Sequence, residues 1–394
     1  MSEQFDVVIA GGAVMGSSTA YHLAADPAFQ GRILVLEKDM TYQRSASALS
    51  ASSIRQQYST AINIRTSLFG IAFLRSVGEI LAVEGERPEI GLKEGGYLYL
   101  ATAAGAATLR ENQALQLAEG ADIAVLEPAA LLERFSWLRP DDIALGSLGL
   151  SGEGWFDGYG LLQGFRRKAR SLGVTYRQGE VVGLERDGSR IVGVDLADGS
   201  HVGCGVFVDT AGASGARSLA AKAGVAIPVY AKKRCVYTFV AATKVAPFPL
   251  LIDTSGVWCR PEGEGFICGY SPDDLDETDA GEDFEVDWPL FDEVIWPALA
   301  HRVPAFETIR PGRAWAGHYD MNLFDHNAIA GRAPGLDNMV LAAGFSGHGL
   351  QQSPAIGRGL AELIAHGRYT TLDLSDFGYE RITANTPLME NNVI

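Results

Sequence analysis

Residues Phe5–Gly16, FDVVIAGGAVMG, constrain this 394-residue chain more than any other stretch. Val7, Val8 and Ile9 form a continuous apolar run, as in a parallel strand covered on both faces, and Gly11-x-Ala13-x-x-Gly16 follows at once. A tight turn, close backbone approach to a pyrophosphate and tight helix-on-strand packing each require a small residue, and these three positions provide them. Ala13 departs from the strict glycine pattern, and context restores the signal. The next apolar run, Ile33–Leu36, ends in Glu37, 26 residues after Gly11 and near the roughly 20 expected for an acid that binds a ribose hydroxyl. A βαβ turn without a ligand is the competing reading of the motif alone.

A chain this long exceeds one ordinary core, so two domains, possibly interleaved, are expected. Apolar residues at 47% and charged ones at 20% describe a globular protein. The net charge of −16 and pI near 4.9 exclude nucleic acid and anionic membrane surfaces as natural partners. Cys204, Cys235, Cys259 and Cys268 show neither CxxC spacing nor accompanying His pairs, so reduced thiols are expected rather than zinc or disulfides. The first strand begins at Phe5, leaving no room for a signal or transit peptide, and no run of 18 apolar residues exists. A cytoplasmic protein without a transmembrane segment is expected.

After Glu37 comes Tyr42–Ser53, rich in Ser and Ala, where small side chains permit close approach of a ligand. Arg55 sets a cation beside it. Ile64, Leu68, Ile71, Leu74 and Val77 predict a helix over 60–83. A strand over 95–100, helices over 105–119 and 128–135, and a helix over 158–172 follow. Arg166, Arg167, Lys168 and Arg170 read as that last helix's solvated face rather than a phosphate site. Asp187-Gly188 and Asp198-Gly199 are hairpin turns and predict a three-stranded meander over 174–212, ending in small residues at Ala211-Gly212. Strands around Trp258 and over 266–270 lead to an acidic loop, Asp273–Asp287, and a helix holding Trp288, Phe291, Ile295 and Trp296. A buried strand, Met339–Gly344, then runs through the turn Phe345–Gly349 into an amphipathic helix over 350–366, with Pro354 read as a first-turn proline. Such a helix end aims N–H groups and positive potential at whatever lies in front of it.

GGAVMG, Glu37, the meander leading into VDTAGASG, and AAGFSGHGLQQSPAIGRGLAELI together resemble the D-amino-acid-oxidase-like flavoproteins, in their sarcosine oxidase and dimethylglycine dehydrogenase branch. RVPAFET, AWAGHYDMNLFDHN, GFSGHGLQQSPAIGRG and the terminal ENNVI are similar to the group called FAD-dependent oxidoreductase domain-containing protein 1. The likeness covers essentially the whole chain. It implies an α/β fold in which a Rossmann-like FAD-binding domain is interleaved with an antiparallel-sheet (α+β) substrate domain. Residues 1–90, 151–226 and 321–394 would form the first, and residues 91–150 and 227–320 the second.

The resemblance also implies FAD and a small amino-acid-like substrate oxidised at a C–N bond next to its carboxylate. Gly11, Ala13, Val14, Met15 and Gly16 would hold the pyrophosphate, and Glu37 with Lys38 the adenosine ribose. Ser45, Ala46, Ser47, Ser50, Ala51 and Ser52 would line the flavin, and Val182 would offer its backbone to the adenine, with Ala211 and Gly212 at the strand end. Gly347, His348, Gly349, Leu350, Gln351 and Gln352 would face the isoalloxazine ring. Arg55 falls where the family places a carboxylate-binding arginine, whose two parallel donors suit two oxygens. Tyr319 matches an active-site tyrosine. Gln351 stands where a second, cationic binder is found in monomeric sarcosine oxidases. His318 and His348 are candidates for tuning the amine proton.

Departures from the family pattern bear on chemistry. Gly317 occupies the place of a cysteine that tethers FAD, and the Ser-rich segment carries no His for attachment, so noncovalent FAD is expected. Ile267 replaces a lysine that speeds the reaction of reduced flavin with oxygen, and an isoleucine cannot stabilise developing superoxide. A dehydrogenase that passes electrons to a protein or quinone is therefore expected over an efficient oxidase. Competing readings are an FAD-binding assembly factor with little turnover, a D-amino-acid dehydrogenase or oxidase, and an NAD-dependent hydroxyacid dehydrogenase. The last leaves GFSGHGLQQ idle.

Overall fold

The computed structural model describes residues 3–272 and 276–392. The chain alternates between two sheets. It starts one with β1 (Glu3–Ala10) and β2 (Ile33–Glu37), makes β3 (Ser53–Ile54), then starts the other with β4 (Tyr97–Ala101), β5 (Ile123–Leu126) and β6 (Leu145–Gly149). After β7 (Gly154–Trp155), which pairs with β3, it returns to the first sheet as β8 (Thr175–Gln178), β9 (Val181–Asp187), β10 (Arg190–Leu196) and β11 (His201–Asp209). It crosses again for β12 (Val229–Ala241), β13 (Leu250–Ile252), β14 (Val257–Glu262), β15 (Gly265–Tyr270) and β16 (Ile309–Asn322), and ends in the first sheet with β17 (Ile329–Arg332) and β18 (Met339–Ala343).

In the first sheet the order is β17-β18-β11-β1-β2-β8, with β10 and β9 extending from β11. β1 lies parallel to both β11 and β2. Its alternating side chains explain the unbroken apolar run: Val7 and Ile9 join the core that holds Phe165 and Leu360, while Val8 and Ala10 join the core that holds Val194 and Leu219. Burying each such aliphatic side chain contributes about 1.5–3 kcal/mol. The meander is β9, β10 and β11, and β8 stands apart from it, pairing parallel with β2. The second sheet runs β16-β12-β15-β14-β13-β4-β6-β5 and is antiparallel except between β13 and β4.

Two helices set the site. Val14–Ala25 follows the glycine turn and Gly349–His366 follows β18, and the Ser18 hydroxyl donates to the Ser353 carbonyl at 2.7 Å to join them. A Cβ on Gly16 would lie 1.9 Å from the Gly11 carbonyl oxygen, which is why that position tolerates no side chain. The second helix starts at Gly349, so Pro354 lies inside it rather than in its first turn. The Leu350 carbonyl that a proline leaves without a backbone donor accepts the Ser353 hydroxyl at 2.8 Å instead. The helix predicted over 60–83 spans Ala61–Arg75, breaks at Ser76 and resumes for one turn, Val77–Ile80. Of the acidic loop, residues 273–275 lie outside the described residues, as do Val393 and Ile394. No helix among the described residues is long and apolar enough to cross a membrane.

The C-terminal segment is pinned by a buried two-pronged pair: Arg381 Nε donates to Asp325 Oδ2 at 2.6 Å and Nη2 to Oδ1 at 3.1 Å, with Asp325 fully buried. Removing one partner strands the other charge. Arg381→Met is expected to cost about 3–5 kcal/mol in urea unfolding of the FAD-loaded protein; a loss within error would contradict this account.

Candidate active site

A cavity of about 620 Å³ separates the two sheets. Gly179, Glu180 and Val181 close one end, beside Glu37 and Lys38. Gly11, Ala13, Val14 and Met15 form the middle, facing Ala211 and Gly212. Ser45, Ala46, Ser47, Ser50 and Ala51 make one wall further on, with Gly347, Gly349 and Leu350 opposite. Val236, Trp258, Arg234, Gly317, His318 and Tyr319 close the far end, and Gly281, Glu282 and Phe284 cover it. Of the residues singled out in the sequence, Gly16 sits one turn behind the lining. Ser52 and Gln352 are also set back, and Val182, expected to offer its backbone, is not on the lining, where Gly179–Val181 form that end.

The lining has the properties a dinucleotide needs. The Val14–Ala25 helix has no side-chain cap, and Ser47 Oγ takes only the Val14 N–H, at 3.3 Å, so its first-turn donors and positive end face the cavity. The Gly349–His366 helix is likewise uncapped and begins in the opposite wall. Gly347, with φ +89°, lies against Tyr319: a Cβ there would meet the ring at 2.4 Å. The buried Tyr42 hydroxyl, on the same lining, has no partner among the described residues. Glu37 accepts the Gly12 N–H at 2.8 Å and the Asp39 N–H at 3.0 Å, and burial raises its carboxyl above the ordinary value. Its remaining lone pairs can take a ribose hydroxyl. These residues fit FAD.

Arg55, His348 and Gln351 come together in a buried cluster behind the Gly347 turn, off the cavity wall. Arg55 Nη1 donates to the Gln57 carbonyl at 2.6 Å, and Nη2 to the Asn392 carbonyl and to His348 Nε2, the latter at 3.0 Å. The guanidinium stacks 4.1 Å over Tyr58. Because it can only donate, His348 Nε2 must accept, which places the imidazole proton on Nδ1. Burial, then the Arg55 charge, holds His348 neutral, far below the usual imidazole range. Gln351 Oε1 accepts the Arg55 backbone N–H at 2.9 Å, and its amide donates to the Tyr58 hydroxyl.

Three residues went unnoticed in the sequence. Arg234, on β12, is 9% exposed, lines the cavity and lies 5.4 Å from the Tyr319 ring. A cation within a run already carrying Lys232 and Lys233 gives no periodic signal. Glu153, between two glycines, is fully buried and takes the Gln56 and Gln57 N–H groups at 2.6 and 3.1 Å; burial pushes its carboxyl up to about 7. Asp320 lines the cavity, accepts the Gly344 N–H at 2.9 Å and is pushed by burial up to about 6.

Parallel strands, a glycine turn into an uncapped helix and a cavity shared with an antiparallel sheet define a dinucleotide-binding flavoprotein class. The profile of the FAD dependent oxidoreductase (DAO) family matches residues 6–363. FAD-dependent oxidoreductase domain-containing protein 1 of Xenopus laevis is 42% identical over 428 residues, covering 100% of this chain and 85% of that protein. Sarcosine oxidase subunit beta of Rhizobium meliloti is 26% identical, over 92% of this chain and 85% of that protein. The crystal structure of L-proline dehydrogenase from P. horikoshii superposes with a TM-score of 0.86 at 24% identity, over 98% of this chain and 100% of that one. This chain belongs to the DAO family of FAD-dependent oxidoreductases. It is an FAD flavoprotein acting as an amine or amino-acid oxidoreductase.

Asp209 ends β11 under the Ala211 turn, whose N–H it accepts at 3.1 Å; its second oxygen is buried without a partner among the described residues, and burial pushes the carboxyl up to about 7. The folded protein therefore keeps a proton that an unfolded carboxyl, at about 3.9, has released. Stability contributed by that proton is complete at low pH and is lost as pH rises toward 7. Asp209→Asn is expected to raise Tm more at pH 8 than at pH 4.5 in thermal melts at both pH values; an equal shift at the two would refute the buried-acid assignment.

Proposed function

We propose that this chain oxidises the carbon–nitrogen bond of a small N-alkyl amino acid to an imine, which water hydrolyses to an amine and a carbonyl compound. The observation that carries the proposal is the far end of the cavity. There Tyr319 meets Arg234 on the wall, and Arg55 stands within electrostatic reach: burial raises the tyrosine pKa, and Arg234 and then Arg55 oppose the rise. One buried guanidinium on the wall at this end and a second behind it, in a chain of net charge −16, favour a substrate with a carboxylate.

FAD, when bound, supplies the electron acceptor. Arg234 and Tyr319, which line this end, would present the positive wall that faces the carboxylate. Arg55, with donors engaged by Gln57, Asn392 and His348, would act one layer back, adding positive potential and fixing His348. Gln351 would serve by pinning the Arg55 backbone. Excluding water at this end strengthens each of these interactions. Proline and sarcosine, which two of the similar proteins are named for, are both secondary amino acids, which supports an N-substituted substrate.

In this reading the enzyme is a dehydrogenase handing electrons to a protein or quinone. Ile267 is 2% exposed and packs with Val236 and Trp258 of the cavity wall, an apolar surface that offers no charge to developing superoxide. FAD would be held without a covalent bond, because Gly317 has no side chain and His318 Nε2 is engaged with the Asp283 carbonyl at 2.6 Å. Four buried, unpaired thiols suit the reducing cytoplasm that completes the proposal.

Anaerobic addition of N-alkyl and D-amino acids to the purified protein tests this. An N-alkyl amino acid is expected to bleach the flavin absorbance quickly, and admitted air to restore it slowly. Arg234→Met should raise KM about 10- to 100-fold, the loss expected for one charged hydrogen bond, with a smaller change in kcat. Fast reoxidation would make the protein an oxidase, and no bleaching by any member of the panel would make it an FAD-binding protein without this turnover.

A further inference from the structure

Residues 276–287 contain seven acids and no Lys or Arg, and they lie across the cavity rather than loose in solvent. The segment leaves the second sheet after β15, and its Gly281, Glu282 and Phe284 form part of the cavity lining. Four of its carboxylates each meet a cation. Glu282 pairs with Arg44 at 3.1 Å and Asp279 with Arg217 at 2.6 Å, both cations belonging to the half built on the first sheet. Asp283 pairs with Lys233 at 2.5 Å and Asp276 with the buried Lys232, both on β12. The segment thus bridges the two halves over the cavity between them.

Its attachments are of two kinds. Phe284 stacks on His318, ring centroids 4.1 Å apart, and Arg44 lies 5.1 Å over the same phenyl ring. The Ala280 N–H donates to the Ala231 carbonyl at 2.8 Å. Within the segment, Asp276, Asp279 and Asp283 each accept a backbone N–H two residues on, so its turns are internally braced. The Tyr237 hydroxyl and His318 Nε2, bonded to the Asp287 and Asp283 carbonyls, and the buried Lys232 hold the segment to the second sheet. The two pairs that reach the first-sheet half, with Arg44 and Arg217, are instead solvent-exposed, individually weak and screened by salt, so that side of the latch is reversible.

We propose that residues 276–287 are a salt-sensitive strap that closes over FAD and sets the rate at which the cofactor leaves and enters. With the strap latched, the cavity mouth between Arg44 and Arg217 is bridged; with it released, the mouth is open. The inference rests on FAD binding and is independent of the substrate proposed above.

The test is the rate of FAD release from the holoprotein, followed by recovery of free FAD fluorescence after dilution, at 20 mM and 500 mM NaCl. Wild type is expected to release FAD about tenfold faster at high salt, where the ~3–4 Å screening length weakens the latch. The triple variant Asp279→Asn, Glu282→Gln, Asp283→Asn should release at the fast rate at both salt concentrations. Arg44→Gln with Arg217→Gln, made from the opposite side of the latch, should do the same. Glu277→Gln with Glu285→Gln removes two strap charges outside the four pairs and should behave as wild type. Salt-independent release by wild type would overturn the proposal, as would equal acceleration by the Glu277/Glu285 control. FAD that stays with the precipitated, denatured chain would also overturn it, because a covalent cofactor does not exchange.

Discussion

The arrangement depends on how closely the Val14–Ala25 helix approaches the turn that precedes it. With 1.9 Å between a hypothetical Gly16 Cβ and the Gly11 carbonyl oxygen, the helix can sit there only without a side chain. That approach directs uncapped N–H groups into the cavity and brings the helix flank against Gly349–His366, where Ser18 meets the Ser353 carbonyl. Two positive helix ends therefore converge on one space from opposite walls. An anion and an electron-rich ring are what such a space stabilises.

A net charge of −16 opposes the binding of an anionic cofactor, and the placement of the buried acids moderates that opposition. Glu37 holds the Gly12 N–H, Asp209 the Ala211 N–H, Asp320 the Gly344 N–H and Glu153 those of Gln56 and Gln57. Each carboxyl staples a turn at or just behind the cavity, and burial raises every one of the four above its ordinary value. Burial thus buys turn geometry while moderating the negative charge near the site. The acids of residues 276–287 are neutralised differently, by cations from three separate segments.

What could be read from the sequence follows from the range of the interactions involved. The glycine turn, Glu37, the meander and the final strand-turn-helix are local patterns, and each formed where its spacing indicated. Pro354 stands past the first turn of the helix whether that helix is counted from Leu350 or from Gly349, and it is tolerated there because the Ser353 hydroxyl takes up the Leu350 carbonyl, a local repair that apolar periodicity does not signal. The break at Ser76 has no hydrophobic signature, since Ile71, Leu74 and Val77 keep helical spacing across it. Arg55, His348 and Gln351 are singled out by the resemblance, but their mutual contacts span 293 and 296 positions, and no local pattern encodes those. Arg234 and Glu153 derive their character from burial, which emerges only when the two sheets close on each other.

Interleaving gives the Arg55 cluster its electrostatic strength. Arg55 follows the first crossing out of the first sheet, His348 and Gln351 belong to the last helix, and Asn392 comes from the segment anchored by Glu390. That glutamate is fully buried and accepts the Ser59, Thr60 and Asn63 side chains at 2.7, 2.9 and 3.0 Å. The C-terminal segment therefore covers the rear of the guanidinium, and water cannot screen it from that side. A charge enclosed by tyrosine rings and a peptide carbonyl acts over a longer range than one in solvent. The Arg55 charge thus reaches Tyr319 at the far end of the cavity and opposes the rise that burial gives its hydroxyl. The Asp325–Arg381 pair, by fixing the segment that carries Glu390, contributes to this electrostatic field through the Glu390–Asp325 backbone bond at 3.0 Å.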